Sequence, residues 1–167
     1  MKKQILVLMA HPKIYRSQVN APMFEAASST QGVTAVDLYA QYPAFDIDVE
    51  HEQQTLRDHD VVIFQHPFYW YSTPAILKEW QDLVLEYGFA YGESGIALRG
   101  KTMLCALSAG GSAQAYSSAG SNRFSIGELM RPLEQTARLC GMRWLAPFVL
   151  FESLHAARKG TIDSHCH

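Results

Sequence analysis

The sequence predicts an α/β fold: a single doubly wound domain whose five parallel strands stand in the order 2-1-3-4-5. Two observations carry that expectation. Short apolar runs alternate along the whole chain with segments of helical spacing, which implies right-handed βαβ crossovers and a sheet covered on both faces. The unusual loops also follow the first, third and fourth apolar runs, the carboxyl ends that would line the crevice at the switch point of such a sheet.

The elements follow in order. Ile5–Met9 is a continuous apolar run that reads as a buried strand. A helix is expected over residues 20–29, and after Gly32 a second strand over 33–38. Residues 50–57 form a polar helix candidate, and 61–65 the third strand. Thr73-Pro74 supplies a cap and a first-turn proline for a helix over 73–87, with Ile76, Leu77, Trp80, Leu83, Val84 and Tyr87 on one stripe. Residues 102–107 read as the fourth strand, 126–140 as a helix stopped by Gly141, and 144–150 as the fifth strand. No internal repeat or linker divides the chain, so residues 1–167 are read as one domain.

At 167 residues with 48% hydrophobic and 18% charged side chains, the chain is large enough for a real core and is not disordered. A net charge of −2 gives no electrostatic reason to expect nucleic acid. The apolar run after Lys2-Lys3 is too short for a signal peptide, and no stretch reaches transmembrane length. Cys105, Cys140 and Cys166 lack any CxxC spacing, which argues against a disulfide framework or a zinc site and for a cytoplasmic protein with Cys105 and Cys140 in the core. His51 and His59 read as solvated. His165-Cys166-His167 looks like a metal-binding tail but sits at a terminus, where chains fray; residues 161–167 read better as the start of a final covering helix, cut short.

Three loops carry the functional signal. After strand 1, His11-Pro12-Lys13-Ile14-Tyr15-Arg16-Ser17-Gln18-Val19-Asn20 has neither the glycines of a dinucleotide fingerprint nor those of a P-loop. It offers Ser17, Asn20 and a helix N-terminus suited to phosphate. Pro22 leaves open whether the helix starts at Ser17 or Asn20. After strand 3, His66-Pro67-Phe68-Tyr69-Trp70-Tyr71-Ser72-Thr73-Pro74 puts four consecutive aromatics at a strand-to-helix turn, bulk that should cover a flat, redox-active ring. After strand 4, Ser108-Ala109-Gly110-Gly111-Ser112 lets backbone approach a ring edge closely, where its N–H groups can bond the ring carbonyls. Residues 113–122, rich in Ser, Ala and Gly, read as a mobile lid or a substrate-side loop.

Together these segments resemble the flavodoxin-like NAD(P)H:quinone oxidoreductases, and within them the ancillary flavoprotein subunits of glutathione-regulated potassium-efflux systems. The likeness continues through Leu77-Lys78 and Trp80, Phe89-Ala90-Tyr91-Gly92, Leu98-Arg99-Gly100-Lys101, Arg131-Pro132-Leu133 and Cys140-Gly141-Met142. It implies bound FMN or FAD contacted by His11, Ser17, Val19, Asn20, Phe68, Tyr69, Trp70, Tyr71, Ser108, Ala109, Gly110 and Gly111. The first four would hold the phosphate and ribityl chain, and the others would frame the isoalloxazine. It also implies ping-pong hydride transfer from NAD(P)H through the flavin to a quinone. A tyrosine and a histidine usually assist. Tyr116 matches the tyrosine, but Asn122 stands at the histidine position and cannot exchange a proton near neutral pH.

The resemblance further implies a homodimer. The stripe with Trp80, extended by Phe89-Ala90-Tyr91, offers more aromatic surface than one domain needs. The alternative reading is a regulatory subunit that docks on a potassium-efflux transporter, peripheral to the inner membrane. A flavodoxin-type electron carrier fits less well, because such carriers are strongly acidic. The short chain favours FMN over FAD.

Overall fold

The computed structural model describes residues 3–153. The expected tail features at residues 161–167 lie outside that range. Six strands form one parallel sheet: β1 (Ile5–Met9), β2 (Val33–Asp37), β3 (Val61–Pro67), β4 (Thr102–Ser108), β5 (Arg143–Trp144) and β6 (Phe148–Leu150). The order is β2-β1-β3-β4-β5, with β6 also pairing β4. The expected fifth strand over 144–150 is therefore split. β5 pairs Thr102 and Met103, whereas β6 pairs Ala106 to Ser108. Between them lies Pro147, which has no N–H to give to a ladder.

Among the described residues six α-helices connect the strands: α1 (Asn20–Ser28), α2 (Leu38–Gln41), α3 (Val49–Asp58), α4 (Ala75–Val84), α5 (Ile126–Leu129) and α6 (Arg131–Leu139). Helix α2 was not expected. Asp37 caps it, its carboxylate accepting from the Tyr39 and Ala40 N–H groups at 3.0 and 3.2 Å. The single helix expected over 126–140 is two. Pro132 cannot donate to Glu128, so the chain breaks at Met130, while Ser125 and Glu128 form a reciprocal capping box below the break.

Helix α4 is shorter than its stripe suggested. Pro74 stands at its N-cap with no side-chain bond, so Thr73 does not cap it. It ends at Val84, leaving Tyr87 exposed and Leu83 half-exposed. The stripe that remains, Ile76, Leu77, Trp80 and Val84, is buried against Leu6, Leu8, Val62 and Phe64 of the sheet and Leu133 and Ala137 of α6. Trp80 meets Phe64 edge-on at 5.7 Å. Helix α1 packs on β2 and β3 from the other face, where Gln65 Nε2 donates to Asn20 O at 2.9 Å.

Two surface expectations are corrected. Trp80, Phe89 and Ala90, expected to add aromatic surface, are buried within the chain. His59 is also buried, its Nδ1 2.7 Å from Thr55 O and its Nε2 2.8 Å from Thr34 Oγ1, so this imidazole staples α3 to β2 rather than facing solvent. Cys105 and Cys140 are free and buried, as expected.

Candidate flavin site

The carboxyl ends of β1, β3 and β4 are stitched together by backbone bonds. Ala10 N–H donates to Gln65 O at 2.9 Å, and Phe68 N–H to Ser108 O at 2.9 Å. Beyond them opens a cavity of about 520 Å³, lined by His11, Lys13, Arg16, Ser17, Gln18, Val19, Asn20, Pro67, Phe68, Tyr69, Ser108, Gly110 and Ser153. Eight of the expected cofactor residues are in that lining; Trp70, Tyr71, Ala109 and Gly111 are not. Lys13, Arg16 and Gln18 went unremarked in the sequence. Two basic residues with no acidic neighbour in the loop were the available signal.

The first loop settles where α1 begins. Ser17 Oγ accepts from the Asn20 N–H at 2.9 Å and from Asn20 Nδ2 at 3.3 Å, and the helix starts at Asn20. Pro22 then falls in the first turn, where its missing N–H is not needed. Asn20 Nδ2 also donates to Ser108 Oγ at 2.9 Å, tying α1 to β4. Its Oδ1 is buried without a partner, an unusual state for a polar atom. A ligand hydroxyl would satisfy it. His11 is buried, and its Nδ1 accepts from Lys13 N–H at 3.1 Å, which leaves Nε2–H as the donor. Burial holds this imidazole below its ordinary pKa, only partly offset by a backbone bond and by Asp37.

The aromatic turn differs from expectation. Trp70 and Tyr71 have φ of +50° and +62°, and Ser72 N–H closes the turn on Tyr69 O at 3.0 Å. Left-handed backbone at two bulky residues costs on the order of 1–3 kcal/mol each. Trp70 is 93% exposed and covers nothing among the described residues; of the four aromatics, only Phe68 is buried. In the third loop, Ala109 N–H is committed to Leu150 O at 2.9 Å, so it is not free for a ring carbonyl. Gly110 has open space where a Cβ would stand, so any side chain there would project into open space at the lining of the cavity.

The segment expected to be a mobile lid is a compact loop. Asn122 N–H returns to Ala115 O at 3.0 Å, and a Cβ at Gly120 would lie 2.3 Å from Gln114 O. Tyr116 is half-buried, packed on Phe68 and Phe151 with ring centres 6.1 and 5.9 Å away, rather than lining the cavity. Burial raises its pKa, with a smaller contribution from Tyr71. Asn122 accepts from the Tyr71 hydroxyl at 3.1 Å.

Beneath the turn, His66 is fully buried, its Nδ1 3.0 Å from Pro67 O and its Nε2 unpartnered. Burial pushes its pKa down to about 4. Because the folded value lies below the ordinary 6.5, the associated stability is complete above pH 6.5 and is lost as the pH falls toward 4. Urea unfolding should show the protein weakening by roughly 3 kcal/mol across that interval, at 1.36 kcal/mol per pKa unit. His66→Gln should lose markedly less. A parallel loss in both proteins would assign the effect to other groups, such as His11.

The profile of the family described as "Flavodoxin-like fold" matches residues 3–165. The chain belongs to that family. This flavodoxin-like protein is 47% identical over 148 residues to the "Glutathione-regulated potassium-efflux system ancillary protein KefG" of Pectobacterium atrosepticum, covering 89% of this chain and 81% of that one. Its structure matches the general stress protein 14 of Treponema denticola, solved in complex with FMN, with a TM-score of 0.87, 36% identity and coverage of 96% and 98%. It also matches an NADPH-quinone reductase from P. pentosaceus, with a TM-score of 0.82, 32% identity and coverage of 98% and 95%.

Proposed function

We propose that this protein is a flavin-dependent NAD(P)H:quinone oxidoreductase that holds FMN at the carboxyl ends of β1, β3 and β4. The observation that carries the reading is the cavity itself. Its cationic rim at Lys13 and Arg16, the orphaned Asn20 Oδ1 and the open space at Gly110 match in turn a phosphate, a ribityl chain and a planar ring edge. The FMN complex and the NADPH-quinone reductase among the related structures support it.

When bound, FMN supplies two-electron exchange between NAD(P)H and an acceptor. The protein's own contribution is binding and orientation. Ser17, Arg16 and the α1 N-terminus would hold the phosphate. Asn20 and Ser108 would bond the ribityl hydroxyls, while Phe68, Tyr69 and Gly110 would border the ring. The second reading, an ancillary subunit of a potassium-efflux transporter, is supported by the KefG relative and is compatible with the first. No described helix is long and apolar enough to cross a membrane. A homodimer remains part of the proposal, resting now on exposed Tyr87 and Ile96 rather than on Trp80.

The test is to incubate purified protein with FMN or FAD, remove the excess, and follow reduction by NADPH or NADH and reoxidation by benzoquinone. Yellow protein with non-covalent FMN, turning over and sedimenting as a dimer at micromolar concentration, is expected. Tyr116→Phe should keep its flavin and slow reduction by about tenfold to a hundredfold, the low end for a group assisting proton balance. Colourless protein would end the reading, an unchanged rate would leave Tyr116 a packing residue, and a monomer would remove the dimer.

A further inference from the structure

The three loops singled out in the sequence do not enclose the cavity alone. Ser153, which follows β6, also stands in its lining. The path that brings it there is unusual. Ala109 N–H donates to Leu150 O at 2.9 Å, continuing the parallel pairing of β4 with β6. The pairing then advances, with Glu152 N–H reaching Gly111 O at 3.0 Å. At the next residue it turns back, with Ser153 N–H reaching Ala109 O at 3.0 Å. A parallel ladder running on would carry residue 153 past Gly111; the reversal returns it to the end of β4.

Glu152 makes the reversal. Its φ of +50° lies in the left-handed region, which a residue with a side chain rarely occupies. Such backbone persists only where its surroundings over-determine it, and it collects at ligand clamps. Here the two backbone bonds fix residues 152 and 153, while Phe151 packs on Tyr116 with ring centres 5.9 Å apart. Ser153 is thereby tied, through Ala109, beside the cavity-lining Gly110. The other two serines of the lining already serve Asn20, Ser17 Oγ accepting its backbone N–H and Ser108 Oγ its Nδ2. Among the described residues the Ser153 hydroxyl has no hydrogen-bond partner.

We propose that Ser153 is a further flavin-binding residue: the left-handed turn at Glu152 holds its hydroxyl on the β4 side of the cavity, where it hydrogen-bonds the polar edge of the isoalloxazine ring. Glu152 is the positioning residue and Ser153 the contact. The inference rests on the proposed flavin site and adds to it a fourth chain segment, outside the three loops.

Fluorescence titration of the flavin-free protein with FMN, together with the visible absorption of the bound flavin, tests both roles. Ser153→Ala should bind FMN about fivefold more weakly, as for one lost neutral hydrogen bond. Its bound flavin should also absorb at a shifted wavelength, because the lost bond is to the chromophore itself. Ser153→Thr keeps a hydroxyl and should restore both. Glu152→Gly takes left-handed backbone without strain and should bind as the parent does. Glu152→Val is β-branched and cannot hold that conformation, so it should lose about as much affinity as Ser153→Ala while retaining the serine.

Parental affinity in Ser153→Ala overturns the contact. A weakening without any absorption shift puts the hydroxyl on the ribityl chain or the phosphate and overturns the ring assignment. A weakening that Ser153→Thr fails to repair assigns the effect to packing and overturns it as well. Parental affinity in Glu152→Val removes the positioning role. A parent protein that binds no FMN overturns the flavin reading together with this one. That outcome differs from a yellow parent whose Ser153→Ala variant binds equally tightly.

Discussion

Glu52→Ala should destabilise the folded protein by about 3–5 kcal/mol, the range for stranding buried partners of a charged group. Glu52 is 1% exposed and joins three helices. Its Oε1 accepts from the Tyr42 hydroxyl at 2.7 Å and from Gln41 Nε2 at 3.1 Å, both at the end of α2. Its Oε2 accepts from Trp80 Nε1 of α4 at 2.8 Å. Burial, reinforced by the neighbouring Glu52 carboxylate, raises the Tyr42 pKa, so the phenol stays protonated and remains a donor. Alanine removes every acceptor at once and leaves the Trp80 and Tyr42 donors with no replacement in an apolar setting. A lowered urea midpoint at unchanged slope would report this loss. Glu52→Gln retains one acceptor oxygen and should cost about half as much. A loss below about 1 kcal/mol for alanine would mean that water reaches the site and takes over the carboxylate's bonds.

Asn20→Ala should weaken FMN binding by about a hundredfold, or near 2.7 kcal/mol. The side chain has two tasks. Through Nδ2 it holds Ser108 Oγ in place across the sheet, and through the unpartnered Oδ1 it offers the acceptor that the ligand chain would occupy. Removing it abolishes both and leaves Ser108 free to rotate. Fluorescence titration of the flavin-free protein measures the change directly. Retention of affinity within about threefold would place the ribityl chain elsewhere. The α1 N-terminus should survive, because Ser17 still accepts the backbone N–H of residue 20.

The strands and the unusual loops between them were legible because both depend on local pattern. Ile5–Met9 and residues 61–65 are strands at the expected places, and the three loops that stood out in the sequence converge on one cavity. Interruptions were harder to read. Pro132 and Pro147 were visible, but whether a proline kinks, caps or splits an element depends on which N–H its position would have needed. Trp80 misled for a different reason. An indole on a helix stripe looks like surplus surface until its Nε1 finds a carboxylate ten residues from Tyr42 and twenty-eight from itself. Asp37 ahead of Leu38 was a readable cap signal for α2 that went unused.

By itself the sequence determined the alternation of strands and helices, since periodicity and turn residues are properties of neighbours along the chain, and its ordered motifs carried the resemblance to the family to which the chain belongs. Only the tertiary structure decided that Glu52 and His59 are buried, that Trp70 stands in solvent while Phe68 does not, and that Asn122 meets Tyr71. For Glu52, His59 and Asn122 those outcomes rest in part on hydrogen bonds between residues 25 to 51 positions apart, and the free energy of burying a polar group is set by its partner, not by its own position in the chain.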